Sequence, residues 1–282
     1  MSERIRVWHP DGMGEVELWR GTAVTDPYPR HWHEEYQLCL ILAGGGELAY
    51  RGSHHATPTN SLFIVHPGEV HGNYTDCAEG CSYRSIYVSP EIFRRVASEL
   101  AGRRQPLPFF PEPMIFDQAL LDLYLKLHLL LETPDSSLAS ESLLMELCAR
   151  LIRRYSQERP AVKTLGRERR TIQRIREYLT ESYVENVSLK QLTDAFGLSP
   201  FHLNRLFCRE VGMPPHAFQT QVRIARAKTL LRQGLSITDV AMLTGFADQS
   251  HLTRHFKRLV KLTPGQYREG SKNVQDNSGG PR

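Results

Sequence analysis

At 282 residues the chain is longer than one ordinary domain and is expected to form two. Its net charge of +4 hides a division: residues 1–160 carry 15 Lys and Arg against 21 Asp and Glu, residues 161–282 carry 20 against 10, so the balances are −6 and +10. No apolar run approaches the ~20 residues of a membrane span, the first ten residues are too polar for a signal peptide, and five scattered cysteines (Cys39, Cys77, Cys81, Cys148, Cys208) do not make a disulfide framework; a cytoplasmic protein with reduced thiols is expected.

From residue 15 to about 88 the chain breaks into short β-rich runs divided by Gly, Pro and Asn. Runs at 16–19, 36–43, 46–50, 61–65 and 84–88 read as strands of a sandwich or small barrel, with Ala43-Gly44-Gly45-Gly46 as a hairpin connection. The stretch H-W-H-E-E-Y-Q at 31–37, taken with P-G-E-V-H at 67–71, resembles the two sequence motifs of the cupin barrel. Alternation along a strand places His31, His33, Glu35 and Gln37 on one face, which in a barrel looks into the cavity, and His71 from the later hairpin joins them. These five are the candidate effector contacts, with His66, Tyr50 and Arg30 as weaker candidates. The competing reading, of equal weight for any one residue, is that the histidines satisfy one another inside a barrel mouth. Metal cupins place a glutamate where Gln37 stands, and a neutral amide replaces a carboxylate ligand poorly, so neither a metal nor a cofactor is expected. Cys77 and Cys81 enclose three residues, a spacing that suits two ordinary loop thiols better than a ligand or redox pair.

An amphipathic helix is expected at 90–100, then an irregular connection at 103–113 with four prolines. Helices at 117–132 and 138–155 follow, the second with Leu144, Leu147, Leu151 and Tyr155 along one stripe. Their apolar faces read either as a surface for a second subunit or as core within one chain, with equal weight. Residues 157–170 form a polar linker interrupted by Pro160 and Gly166, so that 1–156 is one domain and 171–270 the next; 271–282 is disordered by composition.

The basic half opens with a helix at 171–183, a helix-turn-helix at 189–207 and a long joining helix at 215–232, whose Arg223, Arg226 and Lys228 either face phosphate or are solvated. At 236–267, Ile237, Val240, Ala241 and Leu243 recur at helical spacing, and Gly245 breaks the run where a turn between two helices needs φ > 0. Beyond it Leu252, Phe256 and Leu259 form an inward stripe, and the remaining surface is rich in donors and almost free of carboxylates. A helix of that kind, held across a glycine turn, enters the DNA major groove; alone, the pattern also fits a helix C-cap beside a solvated face. The chain then repeats itself: 188–197 aligns with 236–245 at an offset of 48, and Leu203, Arg205, Phe207, Pro215 and Phe218 fall on Leu252, Arg254, Phe256, Pro264 and Tyr267 at an offset of 49.

Three motifs carry a family resemblance: L-S-P-F-H-L-N-R-L-F at 198–207, G-F-A-D-Q-S-H-L-T-R-H-F-K at 245–257 and T-P-G-Q-Y-R at 263–268. They resemble the AraC/XylS-type transcription regulators. The resemblance implies a multi-domain α+β chain: an N-terminal cupin-like β-barrel with following helices, then an all-α domain with two helix-turn-helix units. It further implies a small-molecule effector in the barrel, a homodimer through the helices after it, and double-stranded promoter or operator DNA as partner, with RNA polymerase a further candidate and no membrane. Two recognition helices on one joining helix reach successive major grooves if they lie about one turn, ~34 Å, apart. The candidate base contacts are Phe201, His202, Asn204 and Arg205 in the first unit and Gln249, Ser250, His251 and Arg254 in the second. Arg209, Lys257 and Arg258 are placed for phosphates, and Asp248 is expected to cap its helix. A regulator and not an enzyme is therefore expected. The rivals are a metal-dependent cupin enzyme with a DNA-binding appendage and an architectural protein without effector.

Overall fold

The structure is a computed structural model that describes residues 4–10, 13, 15–75, 77–132, 137–157 and 166–272. It divides into two compact units, Met1–Pro160 with Gly270–Arg282, and Ala161–Glu269.

The first unit holds two antiparallel sheets. One has the order β1 (Arg4–Trp8), β2 (Val16–Val24), β9 (Cys81–Val88), β4 (Tyr36–Ala43), β7 (Ser61–Val65), β10 (Met114–Ile115); the other has the order β3 (Tyr28–His31), β8 (His71–Tyr74), β5 (Glu47–Tyr50), β6 (Ser53–Ala56). Near-continuous apolar runs make the central strands because both their faces are covered. On β4, Leu38 and Leu40 enter the core shared with the helices, while Cys39 and Ile41 turn to a second cluster with Leu48, Tyr50, Phe63 and Val65. Helices α1 (Pro90–Ala101), α2 (Gln118–Leu130) and α3 (Ser137–Tyr155) cover the first face. Ser89 caps α1 ahead of Pro90, and Asp117 caps α2 by accepting from the Leu120 amide at 3.2 Å.

Strands β4 and β7 lie where the hydrophobic pattern places them, whereas β1, β3, β6, β8 and β10 are not legible from it. They are short, and β3, β6 and β8 carry Pro, Gly or polar residues (Y-P-R-H, S-H-H-A, H-G-N-Y), so cross-strand pairing and not propensity makes them strands. The hairpin expected at 43–46 is absent, because β4 and β5 belong to different sheets. The chain crosses between sheets there, and a Cβ on Gly46 would overlap the Tyr74 carbonyl. Of the two readings of the apolar helices, packing within the chain accounts for the stripe: Leu120, Leu121, Tyr124, Leu127, Leu144, Leu147 and Leu151 all lie in the core beneath the sheet.

The second unit is helical: α4 (Arg167–Glu181), α5 (Leu189–Phe196), α6 (Pro200–Val211), α7 (Pro215–Arg232), α8 (Ile237–Leu243), α9 (Gln249–Val260) and α10 (Pro264–Lys272). Side chains fix most of the starts, although neither α4 nor α7 has a side-chain cap hydrogen bond. Ser188 and Gln191 form a reciprocal capping box for α5, Ser199 caps α6 ahead of Pro200, Ser236 caps α8, and Asp248 caps α9 by accepting from the His251 amide at 2.7 Å. Gly197 (φ 66) and Gly245 (φ 74) make the two turns in the left-handed region. Leu203 and Phe207 of α6, and Leu252 and Phe256 of α9, are buried as the repeat requires. Leu189 and Leu243 are half-exposed instead, and Leu192, Val240 and Ala241 carry the inward face. The first helix begins at Arg167, earlier than 171, and α10 runs to Lys272, into the segment expected to be disordered. Residues 158–165 of the expected linker and 273–282 of the expected tail lie outside the described residues.

Candidate functional site

Between the two sheets opens a cleft of about 650 Å³, counting the space open to solvent at its mouth. Alternation on the large sheet supplies Trp19 from β2, Gln37, Cys39 and Ile41 from β4, and Tyr83 and Tyr87 from β9; β3 and β8 add Tyr28, His31 and Asn73. Gly21 stands opposite Tyr83 on the neighbouring strand, and any Cβ there would collide with the Tyr83 ring, so glycine lets that ring lie flat on the wall. The Tyr83 and Tyr28 hydroxyls meet at 2.7 Å.

The strand alternation expected for 31–37 does not hold, since β3 ends at His31, β4 starts at Tyr36, and 32–35 is a connection. The histidines are nevertheless together, for another reason: His31 pairs with His71 across β3 and β8, and the connection folds His33 onto both. Ring centroids lie 4.2 Å apart for His31–His71, 4.9 Å for His33–His71 and 6.1 Å for His31–His33. Gln37 donates to Ser85 Oγ at 3.2 Å and brings its Oε1 to 3.4 Å from His33 Nε2. Glu35 contributes its carbonyl, which accepts from His33 Nδ1 at 2.7 Å.

His71 Nδ1 donates to the Glu69 carbonyl at 3.2 Å. Burial first, and then the neighbouring His31 and His33, hold its pKa well below the usual histidine range, so the ring is neutral and Nε2 is a bare acceptor. That Nε2 and Asn73 Oδ1, two residues along β8, are buried with no hydrogen-bond partner. Of the two residues, Asn73 lines the cleft and His71 does not.

The weaker candidates Tyr50 and His66 serve elsewhere. With Arg51 and Glu69 they form a latch: Tyr50 and Arg51 both donate to Glu69 Oε2 at 2.6 Å, while Arg51 donates to the Phe110 carbonyl and His66 Nε2 accepts from the Phe110 amide. Among the described residues no group of three His, Cys, Asp or Glu is arranged to hold a metal ion. Burial pushes the Cys81 thiol up to about 11, which keeps it protonated.

In the helical unit, α6 exposes Asn204 and Arg205 opposite the buried Leu203, Leu206 and Phe207, with His202 half-buried. The backbone of Phe201 is part of α6, but its side chain lies outside the described residues. Arg209 is engaged by Glu168 and Glu210, each at 3.0 Å, and a phosphate would have to compete with these carboxylates for it. On α9, Gln249, Ser250, Arg254, Lys257 and Arg258 are exposed and His251 is half-buried. Gln249 Oε1 accepts from Thr238 Oγ1 at 3.2 Å, which steadies it against α8. Among these cations His255 is pushed down to about 4, chiefly by burial and next by Arg258, so at neutral pH it adds no charge. Of the three joining-helix cations, Arg223 is neither phosphate-facing nor solvated. It is buried and bonded to carbonyls of the loop after α4. The cleft aromatics Trp19, Tyr28, Tyr83 and Tyr87 were missed by sequence reasoning; the period-two pattern of β9 marks Tyr83 and Tyr87 as sharing a face, but not which face is the cleft.

Two family models match the chain: an AraC-like ligand binding domain over residues 14–148 and a helix-turn-helix domain over residues 192–270. YbfI of Bacillus subtilis, an HTH-type transcriptional regulator, is 32% identical over 252 residues, 89% of this chain and 91% of its own length. The HTH-type transcriptional activator RhaS of Pectobacterium carotovorum is 26% identical over 253 residues, 86% of this chain and 88% of its own. Among solved structures, the apo form of a Lys-to-Ala variant of ToxT of Vibrio cholerae superposes with a TM-score of 0.57 at 13% identity, covering 90% of this chain and 96% of its own. ToxT with an unsaturated fatty acid bound gives 0.55 at 14% identity and 98% of both chains, a likeness of fold.

Proposed function

The chain belongs to the AraC-type family of helix-turn-helix transcription regulators, DNA-binding proteins and not enzymes, and from that premise we propose how its two units divide the work. The helices α6 and α9 read two short boxes of one operator through His202, Asn204, Arg205, Gln249, Ser250, His251 and Arg254, with Phe201 beside them, while Arg209, Lys257 and Arg258 hold phosphates. The observation that carries this reading is the repeat: each recognition helix buries one apolar stripe and turns Arg205 or Arg254, equivalent positions, to solvent. Arg suits guanine O6 and N7. Replacing Arg254 with Ala is expected to cost ~1–3 kcal/mol of binding and to relax base preference at one position, whereas Lys257→Ala weakens all sequences alike and lowers the salt slope by about one. Binding measured on duplexes selected from a random pool checks both, and an unchanged base preference in Arg254→Ala removes that residue from the reading set.

The cleft of the first unit holds the effector, with His31, Gln37 and Asn73 as polar contacts, His33, Glu35 and His71 as their supports, and Trp19 and Tyr87 as apolar walls. Its lining includes Asp26 and Glu47 and, among the described residues, no Lys or Arg. A carboxylate ligand would enter without a counter-cation, so the ligand is uncharged or cationic and brings an N–H or O–H donor to Asn73 Oδ1. This sets the cleft apart from that of a fatty-acid binder, although ToxT shares the fold. Thermal shifts with cyclohexanol, cyclohexylamine and cyclohexanecarboxylate test it: stabilisation by the carboxylate equal to the other two would contradict this assignment. On family grounds the cupin-like unit also pairs two copies of the chain through its helices, the assembly works in the cytoplasm, and RNA polymerase is a partner at the promoter.

A further inference from the structure

Arg223 lies inward on α7 at 8% exposure, and Gln219 one turn earlier at 7%. Arg223 Nε donates to the Tyr183 carbonyl at 2.6 Å and Nη2 to the Glu185 carbonyl at 2.9 Å. Gln219 Nε2 donates to the carbonyls of Ser182 and Glu185 at 3.2 and 3.0 Å, and the Arg226 guanidinium lies 5.9 Å from the centre of the Tyr183 ring. Positions 219, 223 and 226 share one helix face, so α7 grips the loop that leads from α4 into the first helix-turn-helix along that face.

The far side of the same loop touches the second helix-turn-helix. Gly245 sits so close to Val184 that a Cβ would overlap the Val184 carbonyl, whereas Gly197, in the equivalent turn of the first unit, has nothing within 4 Å of its added Cβ. The close approach is therefore not a requirement of the turn. Arg223 also lies 5.9 Å from the centre of the Phe246 ring, and Phe246 packs against His251 and His255 of α9 at 5.4 and 5.8 Å. One buried guanidinium thus touches the loop before the first unit and the turn that launches the second recognition helix.

We propose that Arg223, supported by Gln219, is a positioning residue that fixes the distance and angle between α6 and α9 and so sets the spacing of the two DNA boxes the chain accepts. This rests on the reading of α6 and α9 as paired DNA readers. A joining helix by itself leaves the turns at both its ends able to rotate. The loop held by Arg223 closes a second connection between the halves, and a planar fork matched to two carbonyls resists rotation where a lysine point charge would not.

The full chain would first recover its preferred duplex from a random-sequence pool, and that duplex would then be lengthened or shortened by one base pair between the boxes. Wild type is expected to lose about 100-fold in affinity on either change, since each pair shifts the second groove by about a tenth of a turn. Arg223→Met is expected to lose about 10-fold on the preferred duplex yet less than about 5-fold more on the altered ones, with Arg223→Lys in between. A uniform loss at every spacing, as a merely destabilised domain would give, overturns the proposal, and so does an unchanged spacing preference. Should Arg223→Met fail to fold by circular dichroism, Gln219→Leu with Arg223 intact is read in the same way. A pool that yields no paired boxes for wild type would instead refute the paired-reader reading beneath it.

Discussion

Phe256→Ala is expected to destabilise the helical unit by about 3–5 kcal/mol and to abolish DNA binding at ordinary temperatures. Phe256 is fully buried between the stripe of α9 and α10, where its ring meets Tyr267 edge-on at 5.5 Å, and Tyr267 is itself fully buried. Truncation removes the transfer free energy of the ring and leaves a cavity that the flanking helices cannot close without moving α9, the helix that carries Arg254. For a unit of this size ~1 kcal/mol shifts the melting temperature by roughly 4–8 °C, so a shift well above 10 °C is expected. Phe256→Leu keeps most of the volume and should lose less than half as much. A shift of only a few degrees in Phe256→Ala would mean that the repeat stripe is not the core of the DNA-binding unit.

The second large effect is expected in the sheet unit, where Arg84 is 7% exposed on the helix-covered face of the large sheet. Its Nη1 donates to His128 Nδ1 at 2.9 Å and to Glu132 Oε1. His128 Nε2 lies 3.3 Å from the Trp19 carbonyl, to which it donates, so Nδ1 is the acceptor that Arg84 requires, and burial keeps the ring neutral by lowering its pKa. Glu132→Ala leaves the guanidinium buried with a neutral partner alone. That costs about 3 kcal/mol, the lower end of the range for breaking a buried pair, because Glu132 keeps 27% of its side chain exposed. Arg84→Met combined with Glu132→Leu should recover most of the loss, since an apolar pair of similar volume carries no desolvation penalty. The same group gives a pH dependence of definite sign. Although burial alone would raise it, the Arg84 guanidinium that donates to it, with the His128 ring beside it, holds the Glu132 carboxyl down at about 2 against an ordinary 4.5. Its contribution is therefore full above pH 4.5 and is lost as the pH falls toward 2. His128, also depressed, adds a loss that begins as the pH drops below its ordinary 6.5. Melting followed from pH 7 to 3 should show wild type losing stability faster than Glu132→Gln; parallel curves would discard the linkage.

The paired helix-turn-helix units, the Asp248 cap and the turn glycines were legible in the residues because each is a local device; the structure adds the caps at Ser188, Ser199 and Ser236, which were not read from the sequence. Ser188, Ser199, Ser236 and Asp248 act within three residues of themselves, and the offset between Gly197 and Gly245 exposes the repeat without any knowledge of packing. Central strands β4 and β7 were legible for the same reason, as runs too apolar to face water on either side. The grouping of His31, His33 and His71 was anticipated on a wrong premise: strand alternation was invoked, while pairing between β3 and β8 and a folded connection do the grouping.

What the sequence determined by itself was the chemistry of short range: which segments are helices, which face of each is donor-rich, and that one half is basic. What only the tertiary structure decided was the partner of each polar group across long separations. Arg223 reads as a surface cation until the carbonyls of Tyr183 and Glu185, forty residues away, enclose it, and Tyr83 reads as one more strand aromatic until Gly21 on the neighbouring strand makes room for its ring. The physical reason is range: capping, turn and periodicity energies depend on neighbours in the chain, whereas burial and the satisfaction of a buried charge depend on which distant backbone arrives beside it.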